Sequence, residues 1–499
     1  MEWGATHLNL CASTYPVTWA EGRLVRKTDP SQHVEAPKVA CGYFQHECWQ
    51  PVEAWPIICV TRGQVVPSAT VRAVNGRGTA HQGGSVTDLS AETLDLLDHT
   101  LDIDAHEMTP SHLWGEVFGA AAARIAELAE PVLKKTGAND FYNPGVAGDL
   151  EEITDENVWN IRGSRAPGAF DMTRRIAVMD VMGVARQFVF PSFALFANHL
   201  YAGNEATHRD RYGLTLPEDE IRKLGLDGIT EYNDWVVRES QVDPERVRPV
   251  AYVSPGSSPE ELFEQTKDLI DRGVLAINLP AGEPPGGRSP ASPDLDPYWQ
   301  MLADRNIAVL VHVGGETGFV KSPDWSRAPA FKPGKVESHE LGSEPFSFAT
   351  VSFPICNYLT AMTLGGVFER HPNLRFGAIE IGAGWLGPWA DNLDMWARDV
   401  YAARMKPFIS KLPSEYIASN VRVTPFNNFE PVDKYLAAYP HLRTSYCWST
   451  DYPHIEGGKD IKRKFLKMLA PMGDEVIQQF FVTNSELLLP PLTEIKKNA

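Results

Sequence analysis

From about residue 100 onward, short β-branched apolar runs alternate with longer segments whose apolar positions recur at helical spacing, which is the pattern of a parallel sheet covered by helices. The runs predict strands over 101–105, 186–190, 248–253, 274–279, 307–313, 375–381, 420–424 and 445–449. Eight strands separated by helices predict an α/β fold, a (β/α)8 barrel, whose usual length of about 250 residues leaves room here for long insertions. Phe170, Ile176, Met179, Val181 and Met182 fall on or near one apolar stripe, so a helix is expected ahead of the second strand. Ser258-Pro-Glu-Glu261 has the cap residue, first-position proline and acidic first turn of a helix start, and Gly273 marks that helix's end.

Three regions exceed a minimal barrel. Residues 1–95 carry strand-like runs at 56–61 and 70–74 and a glycine-rich stretch, predicting a small β-containing N-terminal region ahead of a barrel over 96–490. Residues 107–169 separate the first two strands. The third region is split between a Pro, Gly and Ser-rich segment at 280–297 and a charged, aromatic one at 316–354. Both halves follow strand C-termini, so a barrel would carry them on its active face. There is no internal repeat and no heptad pattern.

Composition narrows the partner. A chain of 499 residues that is 43% hydrophobic can bury a large core, while 64 acidic against 46 basic residues give a net charge of −18. That field repels nucleic acid and anionic membrane, so a small molecule is the expected partner. No basic segment followed by an apolar core opens the chain, and no run reaches the roughly 18 apolar residues of a membrane span, so a cytoplasmic protein is expected. Cys11, Cys41, Cys48, Cys59, Cys356 and Cys447 form no C-x-x-C pair, so reduced thiols are expected. His46-Glu-Cys48 has metal-binding types but no second cluster beside it.

In a barrel enzyme the reactive groups sit at strand C-termini, and four of the eight predicted strands end in ionisable residues. Alternation along Leu101-Asp-Ile-Asp-Ala-His106 puts Asp102, Asp104 and His106 on one face. The fifth strand delivers His312 just before Gly314, the sixth Glu380, and the eighth Asp451 with His454 after it. Each taken alone reads as a hydrogen-bonded strand end or a helix cap. Together they gather several charges in one place, and a divalent cation is the simplest compensation.

The sixth strand runs into Gly382-Ala-Gly-Trp-Leu-Gly387, which has the G-x-G-x-x-G spacing of a dinucleotide-binding turn. Such a turn opens a βαβ unit and wants an acid at the end of the next strand, about 20 residues on. Here it follows the sixth strand of eight, no such acid follows, and Trp385, Leu386 and Pro388 crowd it. The glycines are therefore read as a sharp turn off a barrel strand, and Glu380 as the chemistry.

Residues 98–485 resemble the ACMSD-like, "amidohydrolase 2" branch of the amidohydrolase superfamily, a group of metal-dependent hydrolases and nonoxidative decarboxylases. The resemblance rests on Asp102-Ile-Asp-Ala-His-Glu-Met-Thr-Pro110, Arg174-Arg-Ile-Ala-Val-Met-Asp-Val-Met-Gly-Val184, Tyr232-Asn-Asp-Trp235 and Asp243-Pro-Glu-Arg246. It continues in Val311-His-Val-Gly314, Gly366-Val-Phe-Glu-Arg-His-Pro372, Glu380-Ile-Gly-Ala-Gly-Trp385 and Ser449-Thr-Asp-Tyr-Pro-His454. It implies metal ligation by Asp104, His106, His312 and Asp451, with Asp451 doubling as proton carrier. There are two departures: Asp104 stands where H-x-H has its first histidine, and Glu380 takes the sixth-strand position. The fourth strand offers Asn278 and no lysine, so a carboxylated lysine cannot bridge two metals there.

Adding Glu380 and His454 gives three carboxylates and three imidazoles, enough for one or two divalent ions, with Zn, Mn or Fe all compatible. Asp451, Glu380 and His312 are the expected catalytic residues. The expected function is hydrolysis or nonoxidative decarboxylation of a small aromatic or carboxylated substrate. A dinuclear iron or iron–manganese oxygenase and a non-catalytic subunit of a barrel complex are the alternatives. Phe193, Phe319, Trp325, Phe346, Phe348, Phe353, Trp385 and Trp448 follow strand ends and suggest an apolar pocket. Trp385, Phe319 and His199 are the substrate contacts expected from this set and its neighbours. Arg165 is a candidate carboxylate binder, His371 is read as structural, and a homo-oligomer is expected.

Overall fold

The computed structural model describes residues 89–495, apart from 137–141, 206–207, 210–211, 317–318, 321, 332–344, 428 and 455–456. The runs expected at 56–61 and 70–74, and His46-Glu-Cys48, lie outside the described residues. All strand pairings are parallel. One sheet holds β1 (Thr100–Asp102), β2 (Val184–Val189) and β3 (Val247–Pro249). The other holds β4 (Ala251–Tyr252), β5 (Ala276–Asn278), β6 (Ala308–His312), β7 (Arg375–Ile379) and β8 (Val421–Val423).

The strand expected over 248–253 is thus split into β3 and β4. Pro249 has no N–H to give the ladder. The Val250 N–H still donates to the Val189 carbonyl at 2.9 Å, so the two pieces act as one stave that passes between sheets.

The strand expected over 445–449 does not form. A 3₁₀ turn over Pro440–Ser445 takes its start, and Tyr446 makes only an isolated bridge to Val423. The reason lies in where the backbone donors go: Trp448 N–H to the Phe480 carbonyl at 2.9 Å, Thr450 N–H to the Asp102 carboxylate at 2.9 Å. The segment nevertheless closes the circuit. Cys447 N–H donates to Val423 O at 3.0 Å, and on its other side Asp451 N–H reaches Asp104 O and His106 N–H reaches Tyr452 O, both at 2.7 Å. The architecture is a (β/α)8 barrel with an irregular eighth stave.

Phe188, Val250, Ala276, Leu310, Ile379 and Cys447 fill the lumen and are fully buried. Around the strands, α1 (Met172–Met182) is capped by Asp171, which accepts from Thr173 N–H at 2.9 Å, and ends at Gly183 with φ 66°. It buries Met172, Val178, Met179 and Met182, while Ile176 and Val181 are half-buried, so the apolar stripe is rotated slightly from the expected one. Gly225 lets α2 (Phe193–Ala202) and α3 (Glu218–Glu239) pack closely: a Cβ there would lie 2.6 Å from Tyr201 N and 2.7 Å from Ala197 O. As expected, α4 (Pro259–Asp271) starts at Ser258, whose hydroxyl accepts from Glu261 N–H at 3.2 Å, and the chain leaves it through Gly273 at φ 103°. No helix among the described residues is long and apolar enough to cross a membrane.

A candidate metal centre at the barrel mouth

β1 ends at Asp102, and the irregular backbone after it breaks the alternation that was expected to place three side chains on one face. Asp102 is instead a strut. Its carboxylate accepts from Gln187 Nε2 at 2.6 Å, Thr450 Oγ1 at 2.5 Å, Thr450 N–H at 2.9 Å and Asp104 N–H at 3.2 Å. Burial pushes its pKa up to about 6 against those hydrogen bonds, which pull it down.

Asp104 and His106 turn into the barrel mouth. His106 Nε2 lies 3.5 Å from Asp104 Oδ1 and 3.8 Å from both Glu380 Oε2 and Asp451 Oδ1. β6 delivers His312, whose Nε2 lies 3.3 Å from Asp104 Oδ1 and 3.1 Å from Glu380 Oε2. The His312 Nδ1–H donates to the Val313 carbonyl at 2.8 Å, which fixes the ring with Nε2 toward the carboxylates. His454 stacks on His106 with ring centroids 4.0 Å apart and places Nδ1 2.9 Å from Asp451 Oδ1.

The backbone under the acids is unusual. Three non-glycine residues among those described have positive φ, and two are Glu380 at 53° and Asp451 at 57°. Each conformation costs about 1–3 kcal/mol and persists only where surroundings hold it. Here the Glu380 N–H is held by Thr424 Oγ1 and the Asp451 N–H by the Asp104 carbonyl, both at 2.7 Å.

The result is two overlapping sets of donors, Asp104, His106, His312 and Glu380 in one and His106, Glu380, Asp451 and His454 in the other, each with its ligand atoms within 4.8 Å of one another. Burial, then the charges of His454 and His312, hold the His106 pKa well below the ordinary imidazole value. Burial also pulls His312 down, but hydrogen bonds and charge from Asp104 and Glu380 outweigh it and raise it well above that value. Burial and then the Glu380 charge raise Asp451 well above the usual carboxylate range.

A cation fits these residues. His106 Nε2 is buried without a hydrogen-bond partner, and the ion pairs formed by the three carboxylates among the described residues are all with imidazoles. Mixed oxygen and nitrogen donors suit Mn, Fe or catalytic Zn.

The six residues expected as ligands are therefore brought together; the expected substrate contacts have partners of their own. Phe319 is half-buried just beyond β6, with its N–H on the Glu316 carbonyl at 3.0 Å. Trp385 uses its indole N–H on Gly382 O at 2.7 Å and packs on Trp389. His199 faces the Tyr212 hydroxyl at 3.2 Å, and neither it nor Trp385 belongs to the donor sets. Arg165 pairs with Glu151 at 2.5 Å, and His371 sits between Asp296 and Gln300, each at 3.1 Å. Trp325 and Phe353 are exposed.

Two supporting residues were not anticipated. The fully buried Arg175 donates to the His106 carbonyl at 2.6 Å, anchoring that ligand's backbone. Glu107 accepts from Ser192 and Phe193 N–H groups at 3.0 and 2.7 Å, tying the β1 segment to the start of α2. Both lie inside the sequence motifs around His106 and α1, which is the only signal that marks them.

The family model described as amidohydrolase matches residues 225–490. In fold, the chain is similar to an amidohydrolase from Mycobacterium avium subsp. paratuberculosis at 17% identity, covering 78% of this chain and 99% of that one, with a TM-score of 0.51. A 5-carboxyvanillate decarboxylase from Novosphingobium aromaticivorans, solved with manganese, gives 18% identity, 79% and 97% coverage and a TM-score of 0.46. A 2,6-dihydroxybenzoate decarboxylase from Rhizobium gives 15%, 78% and 98%, and 0.45. No curated protein matches by sequence.

Proposed function

Since the chain belongs to the amidohydrolase family, we propose that it is a metal-dependent hydrolase or nonoxidative decarboxylase of a small aromatic or carboxylated substrate. The observation that carries the reading is His106 Nε2, buried among three carboxylates without a hydrogen-bond partner. Asp104, His106, His312, Glu380, Asp451 and His454 would hold the metal. When bound, the cation supplies a Lewis acid for a carbonyl or carboxylate oxygen.

The chain's own residues handle the proton. Burial and the Glu380 charge raise the Asp451 pKa well above the usual carboxylate range, which suits a proton carrier, and His454 Nδ1 stands 2.9 Å from its Oδ1. In hydrolysis the ionised Asp451 would take a proton from water; in decarboxylation the protonated form would give one to the carbon that loses CO2. His312, fixed by the Val313 carbonyl, orients rather than relays.

The sharing of His106 and Glu380 by both donor sets would let the site hold a second ion, and iron-dependent oxygen chemistry is the alternative to test against. Metal counting after anaerobic purification separates the two. One Mn or Zn per chain with oxygen-independent turnover supports hydrolysis or decarboxylation, whereas two irons with substrate-dependent oxygen uptake refute it. Asp451→Asn should abolish turnover while keeping most of the metal, and full activity in that variant removes Asp451 from the chemistry.

A further inference from the structure

The metal centre leaves other buried polar atoms at the barrel mouth unaccounted for. The Tyr252 hydroxyl, both amide atoms of Asn278 and Glu316 Oε1 have no hydrogen-bond partner among the described residues. Such atoms are rare in a folded protein because each carries a desolvation penalty, and three neighbouring side chains in this state call for a ligand.

Their placement follows from the strands. Val250 and Ala276 fill the lumen, so Tyr252 and Asn278, two residues further along β4 and β5, point the same way, one layer nearer the mouth. The two are register partners and fully buried. Glu316 lies in the turn after β6, which covers the end of β5: Gly282 N–H donates to Gly315 O at 2.8 Å. Glu316 Oε2 is held by Gly314 N–H at 2.8 Å, and Oε1 has no hydrogen-bond partner among the described residues. The turn that carries Glu316 starts at His312, whose carbonyl accepts from Gly315 N–H at 3.2 Å, so this polar corner adjoins the candidate metal centre.

We propose that Tyr252, Asn278 and Glu316 form a subsite that takes a hydroxyl group of the substrate, a specificity element that rests on the metal-dependent reading above. The donor and acceptor inventory selects this group. Glu316 Oε1 needs a donor and Asn278 Nδ2 an acceptor, and a hydroxyl supplies both from one atom. A carboxylate has no proton to give to Glu316 Oε1 or Asn278 Oδ1; an ammonium has no lone pair to accept from Asn278 Nδ2 or the Tyr252 hydroxyl. Burial pushes the Glu316 pKa up to about 7, so the carboxyl can accept a hydrogen bond at neutral pH and above.

The test is calorimetric binding of benzoate and of the three monohydroxybenzoates to the manganese-loaded and the chelator-treated full chain. The wild type should bind at least one hydroxybenzoate roughly tenfold tighter than benzoate, the scale of one buried hydrogen bond. Tyr252→Phe and Glu316→Gln should each bring the two to parity while leaving the benzoate Kd and the metal content unchanged, which a merely structural role would not do. A wild type without the preference, or a preference surviving in both variants, overturns the subsite. Benzoate binding that ignores manganese refutes the metal-centre reading instead, and the hydroxyl preference then still decides the subsite.

Discussion

Replacing Arg175 with methionine removes a residue that touches none of the six candidate ligands' side chains, yet it should cost both stability and metal. The guanidinium donates to Gly168 O at 2.5 Å, His106 O at 2.6 Å, Ala169 O at 3.1 Å and Gln187 Oε1 at 3.2 Å. Ala169 O keeps a second donor, Met108 N–H at 3.0 Å, so the variant strands three acceptors. Each stranded acceptor costs about 1–3 kcal/mol. Against this stands relief from burying a cation, whose penalty is visible in the lowered Arg175 pKa. The net loss should be about 3–5 kcal/mol, the range for breaking a buried charge network. Because the His106 carbonyl is among the stranded groups, manganese affinity should fall about 10–100-fold, as when ligand-supporting residues are removed. Urea unfolding of chelator-treated protein, followed by tryptophan fluorescence, reads the first effect, and manganese titration the second. Arg175→Lys, with its shorter reach, should recover only part of each. A methionine variant within about 1 kcal/mol of wild type and with unchanged manganese affinity would refute the role given to Arg175.

Glu380→Gly should raise the melting temperature of chelator-treated protein, since glycine adopts the φ of 53° freely and relief of about 1 kcal/mol is expected, while manganese binding collapses; a lower melting temperature would show that the conformation is not strained. Gly225→Ala should destabilise by about 1–3 kcal/mol in thermal unfolding, because the new methyl meets backbone rather than side chain, and a neutral effect would contradict the close α2–α3 approach. Glu316 titrates in the folded protein at about 7 rather than 4.5, chiefly through burial, so the stability it contributes is fully present below about pH 4.5 and lost as pH rises through 7. Glu316→Gln should therefore flatten the decline in chelator-treated stability between about pH 5 and 8, by up to about 3 kcal/mol, and an unaltered slope would place Glu316 in water.

How much of this was legible in the sequence depends on which force sets each feature. Lumen-facing β-branched runs and the Ser258 cap are local signals, and seven of the eight expected staves appear close to where periodicity puts them. The eighth was misread because apolar content at 445–449 reflects burial, while the backbone donors there are claimed by Phe480 and Asp102, partners remote in sequence. The candidate ligands were legible for a different reason: ionisable residues at the ends of apolar strands stand out against their background. Asp102 stood out equally and was misplaced onto the ligand face, since alternation says nothing of a carboxylate that turns back to Gln187 and Thr450. Arg175 and the Tyr252, Asn278 and Glu316 corner carry no such contrast. A buried arginine inside an amphipathic helix looks like a surface residue until the carbonyls it serves are known.

Metal loading should release protons, and the count discriminates among the residues. His106 is kept neutral by burial and by its imidazole neighbours, so it can ligate without giving anything up. Asp104 and Glu380 raise the His312 pKa despite its burial, and burial and Glu380 raise that of Asp451, so both side chains favour the protonated forms that a cation would have to displace. Ligation requires the unprotonated forms, and engagement of these side chains should therefore expel protons, with apparent affinity rising as pH increases. Manganese titrations in buffers of different ionisation enthalpy give the number directly. Asp451→Asn should lower it, because asparagine has no proton to lose, while any proton on His312 is still displaced. Zero release in the wild type would mean that His312 and Asp451 are already unprotonated or stay outside the metal's coordination; an unchanged count in the asparagine variant would remove Asp451 alone.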